Sequence, residues 1–491
     1  MIYQSTRHNH ETATASQAIL RGIAPDGGLY TPTSIPSLNV PLHELATMSY
    51  QEVAFIVLRA FLTDFTDDEL KECITQAYSQ HNFDTPDITP IHSIGNKHYL
   101  ELFHGQTIAF KDMALSILPY LMTVAARKNN SNKKILILTA TSGDTGKAAM
   151  AGFADVPNTK IIVFYPKGGV SPIQEKQMVT QTGENTHVIG ITGNFDDAQS
   201  AVKRMFTDTQ LAETISEKGY QFSSANSINI GRLTPQIAYY VYAYAQLIKS
   251  GKIQAGDPIN IAVPTGNFGN ILAAYYAKEM GLPISTLICA SNKNNVLTEF
   301  FQTRRYDKNR PFYVTNSPSM DIVLSSNLER LVFHATGNDA EKTAELMNEL
   351  AHHGCYTIDE QIAHHFSNIF ADYADESDIL SSIKHSFDTH HYVIDPHTAV
   401  ADIVTDRYIQ KTQDATPIII ASTASPYKFP RSVMDALGEN DTTDDLILVD
   451  KLEAYSHISQ PQAVLAIKDA PIRHQSVISV EDMEKSVLNC L

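Results

Sequence analysis

Short hydrophobic runs alternate with helix-length segments along most of this chain, from about residue 100 onward. Each run has the length of a strand and is rich in Ile, Val and Leu, which is typical of buried strands. The runs are 134–140, 160–165, 188–191, 260–263, 287–290 and 417–421. Helices are predicted from Lys147, over 196–206 and from Ile271. This alternation predicts an α/β fold of two parallel-sheet domains with helices on both faces.

The first 90 residues follow a mainly helical pattern. Amphipathic spacing predicts helices over 50–62 and 67–78, and Thr66 is placed to cap the second helix. A chain of 491 residues exceeds the usual single domain. The predicted divisions are a mainly helical N-terminal domain at 1–90, a smaller α/β domain at 91–230 and a larger α/β domain at 231–491. Residues 335–390 are predicted to form peripheral helices.

The charge of the chain restricts its partners. The formal net charge is −17, which argues against a nucleic-acid partner and against a polybasic membrane anchor. No apolar run has the length needed to span a bilayer, and the first residues lack the apolar core of a secretory signal. An anionic small-molecule substrate remains compatible with this charge, since a local basic pocket can exist on an acidic protein.

Cysteine and histidine spacing gives no sign of a metal site. The four cysteines, Cys73, Cys289, Cys355 and Cys490, form no C-x-x-C pair and favour reduced thiols in the cytoplasm. The histidines at 352–353, 364–365 and 390–391 are adjacent pairs whose side chains diverge. His8-Asn9-His10 lies at the start of the chain, and H-E-x-x-H is absent. We therefore predict no metal.

The stretch 101–115, ELFHGQTIAFKDMAL, contains a single lysine, Lys111, beside Ile108, Ala109 and Phe110. Apolar surroundings disfavour the ammonium form and lower a lysine pKa. Such an amine is nucleophilic and can form a Schiff base with a carbonyl cofactor. A solvated surface lysine is the alternative, and the stretch alone does not exclude it.

A glycine-bearing turn, Gly266-Asn267-Phe268-Gly269-Asn270, lies between a predicted strand and a predicted helix. Glycine lets the backbone approach a ligand closely, and a helix start offers free N–H groups and a positive dipole end. The turn contains no lysine, which suits a phosphate monoester held by backbone donors. An ordinary strand-to-helix turn is the alternative.

A second polar turn, Thr141-Ser142-Gly143-Asp144-Thr145-Gly146, follows the run 134–140. It is not a nucleotide P-loop, because Thr141 and Ala148 stand where that motif requires glycine and a hydroxyl. Its hydroxyls and backbone donors would suit a carboxylate, and a capped helix without a ligand is equally compatible.

Two further polar positions could reach a ligand. Arg232 follows Asn229 at a predicted helix start and offers a planar fork for phosphate or carboxylate. Thr423 follows the buried run 417–421, where a hydroxyl could reach a ring nitrogen. By themselves, a surface arginine and a polar turn are the simpler interpretations.

Taken together and in this order, these segments resemble the threonine synthase family, in particular its longer bacterial and fungal members. The resemblance covers nearly the whole chain. The matching segments are 5–7, 24–30, 104–112, 141–146, 165–168, 171–178, 193–197, 229–232, 266–270, 317–322 and 395–399. The family implies a fold type II, tryptophan-synthase-β-like structure and a pyridoxal 5′-phosphate cofactor.

The resemblance also implies a role for each matching position. Lys111 corresponds to the lysine that carries the cofactor and moves protons, and Gly266, Asn267, Phe268, Gly269 and Asn270 correspond to the cup for the cofactor phosphate. Thr423 corresponds to the partner of the pyridine nitrogen. Thr141, Ser142, Gly143, Asp144 and Thr145 are expected near the substrate carboxylate. Asn229 and Arg232 are expected at the substrate phosphate.

The implied reaction converts O-phospho-L-homoserine and water to L-threonine and phosphate, in a cytoplasmic monomer or homodimer. Two alternatives remain: a related lyase or dehydratase that releases a keto acid, and a non-catalytic relative. Four positions depart from the usual family pattern: Gln106 for proline, Arg304 for glycine, and Ser425 and Tyr427 for histidine and alanine.

Overall fold

The computed structural model describes residues 1–8, 12–141, 143–439 and 444–491. The N-terminal region contains β1 (Tyr3–Ser5), β2 (Thr12–Ala13), α1 (Ala15–Arg21), β3 (Tyr30–Pro32), α2 (Leu42–Leu45), α3 (Tyr50–Phe61) and α4 (Asp67–Ala77). The three strands form an antiparallel sheet of order β2-β1-β3, which the sequence did not predict. Helices α3 and α4 confirm the predicted helices to within one residue.

Capping explains where these two helices begin. The Ser49 hydroxyl accepts from Glu52 N–H and the Thr66 hydroxyl accepts from Glu69 N–H, with each glutamate bonding back to its cap. The apolar faces of the helices are buried. Tyr50 packs edge-on against Tyr242 with ring centroids 5.4 Å apart, and Tyr78 donates to the Met113 carbonyl (2.7 Å), two residues beyond Lys111. The N-terminal region therefore shares a core with the rest of the chain.

Two parallel sheets form the body of the molecule. In chain order, the range predicted for the smaller domain begins with β4 (Ile91–Ile94), β5 (Lys97–Glu101), α5 (Asp112–Leu115) and α6 (Leu118–Lys128). It continues with β6 (Lys134–Ala140), α7 (Asp144–Phe153), β7 (Thr159–Pro166), α8 (Pro172–Val179), β8 (Thr186–Thr192), α9 (Phe195–Thr207), α10 (Thr209–Glu217) and β9 (Tyr220–Ser223).

The larger region starts with the long buried helix α11 (Ile230–Lys249). It continues with β10 (Ile259–Pro264), α12 (Gly269–Glu279), β11 (Ile284–Ser291), α13 (Val296–Thr303), β12 (Arg305–Asp307), α14 (Leu328–Ala335), α15 (Ala340–His353), β13 (Cys355–Thr357), α16 (Glu360–His364), β14 (Ile369–Tyr373) and α17 (Glu376–His390). It ends with α18 (Pro396–Thr412), β15 (Ile418–Ser422), α19 (Pro430–Ala436), α20 (Asp445–Ser456), α21 (Gln462–Lys468), β16 (Val477–Ser479) and α22 (Met483–Cys490).

The strands of the two sheets do not follow the predicted domain ranges. The large sheet has the order β14-β11-β10-β15-β5-β4, and the small sheet has the order β16-β8-β7-β6-β9. Strands β4 and β5 thus pair into the large sheet, although they begin the range predicted for the smaller domain. Strand β16, near the end of the chain, pairs with β8 of the small sheet. These additions complete open sheet edges, which a linear division of the sequence does not foresee.

All pairs in the large sheet are parallel except β4 with β5, and all pairs in the small sheet are parallel. Ligands of such sheets bind outside the carboxyl ends of the strands. The Lys111 loop follows β5, the 266–270 turn follows β10, Thr423 follows β15 and the 141–146 turn follows β6. Four of the predicted segments therefore lie at the edges where a ligand is expected.

Within the described residues, no helix combines the length and apolar character needed to cross a membrane. The same part of the chain contains no cluster of three or more His, Cys, Asp or Glu side chains that could hold a metal ion. Asn9 and His10 of the motif noted above lie outside the described residues.

Candidate active site

The Lys111 loop is fastened to the segment that follows β15. Phe110 N–H donates to the Thr423 carbonyl (2.8 Å), and Ser425 N–H donates to the Ile108 carbonyl (3.0 Å). The chain reversal places Ile108 in the left-handed region (φ 53°), which costs a residue with a Cβ about 1–2 kcal/mol. Lys111 is thereby held at the carboxyl end of the large sheet, and Thr423 lies against its loop.

Asp112 closes the same loop from the other side. Its carboxylate accepts from the Thr107 N–H (2.8 Å) and the Thr107 hydroxyl (2.6 Å). A Cβ at Gly105 would lie 2.5 Å from Asp112 Oδ2, so only glycine fits there without a shift. The loop is therefore a preformed support for Lys111.

The side chain of Lys111 lies in a buried, charged environment. Burial lowers its pKa, the nearby Asp144 carboxylate raises it, and the Arg232 and Lys428 cations lower it further, with a result of about 8. Lys111 Nζ lies 3.7 Å from Asp144 Oδ2. A lysine with this pKa has a substantial neutral fraction near physiological pH, as a nucleophilic amine requires.

Asp144 begins α7 and connects several parts of the site. Its Oδ1 accepts from Gln174 Nε2 (2.8 Å) and lies 3.2 Å from Lys428 Nζ, while its Oδ2 accepts from the Ser319 hydroxyl (2.5 Å). Burial would raise the carboxyl pKa, but Lys428, Lys111 and these hydrogen bonds hold it well below its usual range. Asp144 is therefore a fixed anion beside Lys111.

The rest of the 141–146 turn is shaped by Thr141. The buried Thr141 hydroxyl accepts from the N–H groups of Gly143 and Gly146, both at 3.0 Å. Gly143 has a φ of 132°, and Thr145 is half-buried on the first turn of α7. Ser142 lies outside the described residues. The turn brings the start of α7 to the same place as Lys111.

The 266–270 turn has the geometry of a cup at a helix start. Phe268 adopts a left-handed backbone (φ 62°) as the N-cap of α12, and the helix begins at Gly269. A Cβ on Gly266 would lie 3.2 Å from the Ser319 carbonyl oxygen and 3.3 Å from Met320 Cα. The first N–H groups of a helix have no partner within it and suit an anion.

Asn270 supplies a further donor to this cup. Its Oδ1 accepts from the hydroxyls of Tyr239 (2.7 Å) and Tyr240 (2.5 Å), which fixes the orientation of the amide. Its Nδ2 is buried and has no hydrogen-bond partner among the described residues. A buried donor without a partner costs about 1–3 kcal/mol, so this atom is suited to a ligand.

Arg232 is a second unsatisfied group, on α11. Its side chain is buried, its Nη1 donates to the Ala225 carbonyl (3.0 Å), and its Nε has no partner within the described chain. Burial lowers its pKa to about 10. The described residues place no carboxylate in an ion pair with it, so its charge is available to an anion.

Asn229, predicted to act with Arg232, is engaged by the protein itself. Its Nδ2 donates to the carbonyls of Ile19 (2.9 Å) and Ser224 (2.8 Å), and its Oδ1 accepts from Gly231 N–H (2.8 Å). In this structure Asn229 anchors the start of α11 to the N-terminal region and so positions Arg232.

Three groups at the site carry no predicted role, although Ser319 and His397 lie in two of the segments that match the family, 317–322 and 395–399. Lys428 is fully buried in the short helical turn Pro426–Lys428. Ser319 bonds to Asp144, and its N–H donates to His397 Nε2 (3.1 Å). His397 is oriented in turn by Asp395, 2.7 Å from its Nδ1. The apolar neighbours Tyr427 and Phe429 were the one local sign that Lys428 is buried.

The structure shows the surroundings of the four residues that depart from the family pattern. Gln106 donates to Asn82 Oδ1 (2.8 Å), at an exposed position. Arg304 ends α13 in the left-handed region (φ 66°), where glycine is the residue without a steric cost. The Ser425 hydroxyl accepts from Tyr427 N–H, and the Tyr427 hydroxyl donates to the Ile458 carbonyl. Nothing in these contacts explains why serine and tyrosine replace histidine and alanine.

Comparison with known proteins identifies the family. The family model described as pyridoxal-phosphate dependent enzyme matches residues 92–423, between matches to threonine synthase N terminus at 2–78 and threonine synthase, C-terminal, at 398–478. Threonine synthase of Schizosaccharomyces pombe is 38% identical over 467 residues, with 89% of each chain covered. This chain belongs to the threonine synthase family. Pyridoxal phosphate is therefore its cofactor, as predicted.

Solved structures show the same relationship. Threonine synthase from Brucella melitensis, solved with bound pyridoxal phosphate, superposes with a TM-score of 0.89 at 34% identity and covers 100% of this chain and 99% of that one. The yeast threonine synthase superposes with a TM-score of 0.88 at 32% identity over 99% of this chain and 98% of that one. The predicted fold type II architecture is confirmed.

Other relatives are longer than this chain. Human threonine synthase-like 1 is 41% identical over 435 residues, which covers 86% of this chain. The aligned part spans 58% of the length of that human relative.

The residues of this site fit pyridoxal phosphate. A buried lysine with a lowered pKa would join the cofactor aldehyde, and the α12 start with the unpartnered Asn270 Nδ2 would hold its phosphate. Thr423 lies against the Lys111 loop, and its hydroxyl as partner of the ring nitrogen stays a prediction.

Proposed function

We propose that this protein converts O-phospho-L-homoserine and water to L-threonine and phosphate, the last step of threonine biosynthesis. One observation carries the proposal. Lys111, with its lowered pKa, shares the site with two separate anion-suited places, the 266–270 cup and Arg232, and each of them contains a buried donor without a protein partner. One place suits the cofactor phosphate and the other a phosphorylated substrate.

The reaction removes phosphate from the γ-carbon and adds water at the β-carbon. Protons must therefore leave the α- and β-carbons, and protons must be added at the γ-carbon, which becomes a methyl group, and at the α-carbon. Pyridoxal phosphate, when bound, supplies the electron sink for this chemistry. Lys111 would hold the cofactor aldehyde and, once freed by the substrate amine, would take the proton from the α-carbon, for which a pKa of about 8 is well placed near neutral pH.

The remaining site residues bind and orient. Gly266, Asn267, Phe268, Gly269 and Asn270 would hold the cofactor phosphate through backbone N–H groups and the Asn270 amide, and Thr423 would be the partner of the ring nitrogen.

Arg232, positioned by Asn229, receives the substrate phosphate in a buried, low-dielectric setting where a charge-assisted bond is strong. The substrate carboxylate is assigned to the start of α7, beside Thr145, because the Gly143 N–H is bonded to the Thr141 hydroxyl and the Thr141 N–H to the Phe164 carbonyl. The carboxylate of Asp144 is directed toward Lys111.

Replacing Lys111 with Ala tests this function. The cofactor-loaded wild type should release phosphate from O-phospho-L-homoserine, and Lys111→Ala should not. Lys384→Ala, at an exposed position of α17, is the matched control and should behave as wild type. Normal turnover by Lys111→Ala would disprove the assignment.

The product distinguishes the second candidate function. A related pyridoxal-phosphate lyase or dehydratase would use the same lysine and cup but release a keto acid. The similarity to proteins named threonine synthase-like as well as to threonine synthases keeps this candidate in view. Keto acid in place of threonine would favour it.

The proposed setting is the cytoplasm, with the protein a monomer or homodimer. All four cysteines are free thiols, which is consistent with a reducing compartment. Light scattering of the purified protein would measure the oligomeric state, and a mass above that of a dimer would contradict this part of the proposal.

A further inference from the structure

A second lysine, Lys428, is buried next to the first. Its side chain is 0% exposed, and it stands at the end of the segment that fastens the Lys111 loop to β15. Lysine is almost never fully buried unless its charge is compensated. Nothing in the proposed reaction assigns it a role, so its burial needs an explanation.

The ammonium of Lys428 has an acceptor for each of its three protons. Its Nζ donates to the Thr107 carbonyl (2.9 Å), lies 3.2 Å from Asp144 Oδ1 and lies 3.5 Å from Gln177 Oε1. Lysine has three donors and no acceptor. Because the protein fills all three directions, Lys428 is not free to bind a phosphate or carboxylate of the substrate.

These contacts join three segments that the chain otherwise separates. Thr107 belongs to the Lys111 loop, Asp144 begins α7, and Gln177 lies on α8. The two oxygens of Asp144 face different lysines, Oδ2 toward Lys111 at 3.7 Å and Oδ1 toward Lys428 at 3.2 Å. The site thus contains a carboxylate flanked by two lysines.

We propose that Lys428 is a positioning residue that holds the Asp144 carboxylate in place and offsets its charge, so that Lys111 can gain and lose a proton near neutral pH. The inference rests on the proposed function. A lone buried carboxylate beside Lys111 would keep the lysine protonated and unable to act as a base. A second ammonium behind the carboxylate weakens that attraction while keeping the carboxylate ionised.

The charged groups around the pair support this balance. Lys111 is under the influence of Asp144 from α7, Arg232 from α11 and Lys428 from the segment after β15. Lys428 also faces Asp112 of α5 and Lys147 of α7. Of these groups, Asp144 is the anion that raises the pKa of Lys111, and Lys428 is the cation in contact with that anion.

The test is a pH titration of the visible absorbance of the cofactor-loaded protein without substrate, since this absorbance reports protonation of the nitrogen that joins Lys111 to the cofactor. Lys428→Met removes the charge and keeps the length of the side chain. It should move the midpoint up by about one pH unit, roughly tenfold in proton affinity. Asp144→Asn should move it down.

Lys147→Met is the matched control. Lys147 is also a buried lysine on α7, but it donates to Gln181 and does not contact Asp144. The proposal predicts an unchanged midpoint for this variant. Lys428→Arg, which retains the charge, should keep the midpoint near that of wild type.

Several outcomes would overturn the inference. An unchanged or lowered midpoint in Lys428→Met, or an equal rise in Lys147→Met, would show that Lys428 does not set the proton affinity of Lys111. If Lys428→Met loses the cofactor, Lys428→Arg decides: a wild-type midpoint supports the proposal, and a displaced midpoint or lost cofactor contradicts it. Failure of the wild type to take up pyridoxal phosphate would instead refute the proposed function itself.

Discussion

Arg232 should be a residue that lowers the stability of the free protein in exchange for anion binding. Arg232 is 3% exposed, and burial lowers the pKa of its guanidinium to about 10, well below its usual range. One pKa unit corresponds to 1.36 kcal/mol, so the charged form is about 3 kcal/mol less favourable in the fold than in water. Because the folded pKa lies below the unfolded one, the cost is complete at every pH below about 10 and declines above it.

Arg232→Met keeps the apolar stem of the side chain and removes this cost. The lost hydrogen bond to the Ala225 carbonyl lowers the free energy of unfolding by about 1 kcal/mol. The net stabilisation is therefore about 2 kcal/mol. With an unfolding entropy of about 2.1 cal/mol/K per residue, this chain unfolds with roughly 1 kcal/mol/K. The Tm of the cofactor-free variant should therefore rise by about 2 °C.

Thermal unfolding measures both halves of this prediction. The cofactor-free proteins report the change in Tm at neutral pH. The cofactor-loaded proteins, with the 266–270 cup filled, are then compared with and without inorganic phosphate. Phosphate should raise the Tm of the wild type, because a ligand that binds only the folded state stabilises it. It should leave the Tm of Arg232→Met unchanged.

Arg330→Met is the matched control, with the opposite expected sign. Arg330 is fully buried, and burial lowers its pKa to about 10 as well. Its guanidinium, however, donates to the carbonyls of Tyr30 and Ile228 and to Asn327 Oδ1. Removing it leaves buried acceptors unpaired, so the Tm should fall. A fall in Arg232→Met as well, or a retained phosphate response, would refute the reasoning.

Three further predictions concern the support of the site and the fold. Burial lowers the pKa of His104, but hydrogen bonds to Asp84 and Glu101 outweigh it and raise the pKa to about 9. His104→Gln should therefore lower the free energy of unfolding by about 2 kcal/mol below pH 6.5, and this loss should vanish as the pH rises above about 9. An equal loss at all pH values would contradict this prediction. Asn327→Ala removes the hydrogen bond from Asn327 Nδ2 to the Asn267 carbonyl (3.0 Å). An absorbance titration should show cofactor affinity weakened by roughly five- to tenfold. Unchanged affinity would show that the 266–270 cup keeps its shape without this hydrogen bond. Arg304→Gly removes the side chain from a residue with a left-handed backbone (φ 66°) and loses only an exposed ion pair. The free energy of unfolding, measured with denaturant, should rise by about 0.5–1 kcal/mol. A decrease would show that the backbone at Arg304 is not strained.

The central strands were predictable because their hydrophobic runs are continuous. All six predicted runs are strands, β6, β7, β8, β10, β11 and β15. Strands β12, β13 and β16 were missed because each is three residues long, too short to have a periodicity of its own. Strand β14, Ile369–Tyr373, falls in a region predicted to be helical, where pairing with β11 overrides a weak local signal.

The site residues that form local sequence patterns were predictable, and those that depend on long-range contacts were not. Lys111 and the two polar turns are local patterns, and the structure brings them together. Lys428 was missed because its contact with the Lys111 loop joins residues 321 positions apart, and the bond from Ser319 to Asp144 spans 175 positions. The hydrogen bonds from Asn229 to the carbonyls of Ile19 and Ser224 could not be predicted either. The sequence does not distinguish an asparagine that binds a ligand from one that binds the backbone.

The most direct test of the proposed threonine synthase reaction follows the oxygen atoms. The cofactor-loaded protein is given O-phospho-L-homoserine in water labelled with heavy oxygen, and phosphate and threonine are quantified together by mass spectrometry. We expect equal amounts of both, with one labelled oxygen in threonine and none in phosphate, because the bond between carbon and oxygen breaks at the γ-carbon and water adds at the β-carbon. Labelled phosphate with homoserine, or phosphate with a keto acid and no threonine, would contradict it.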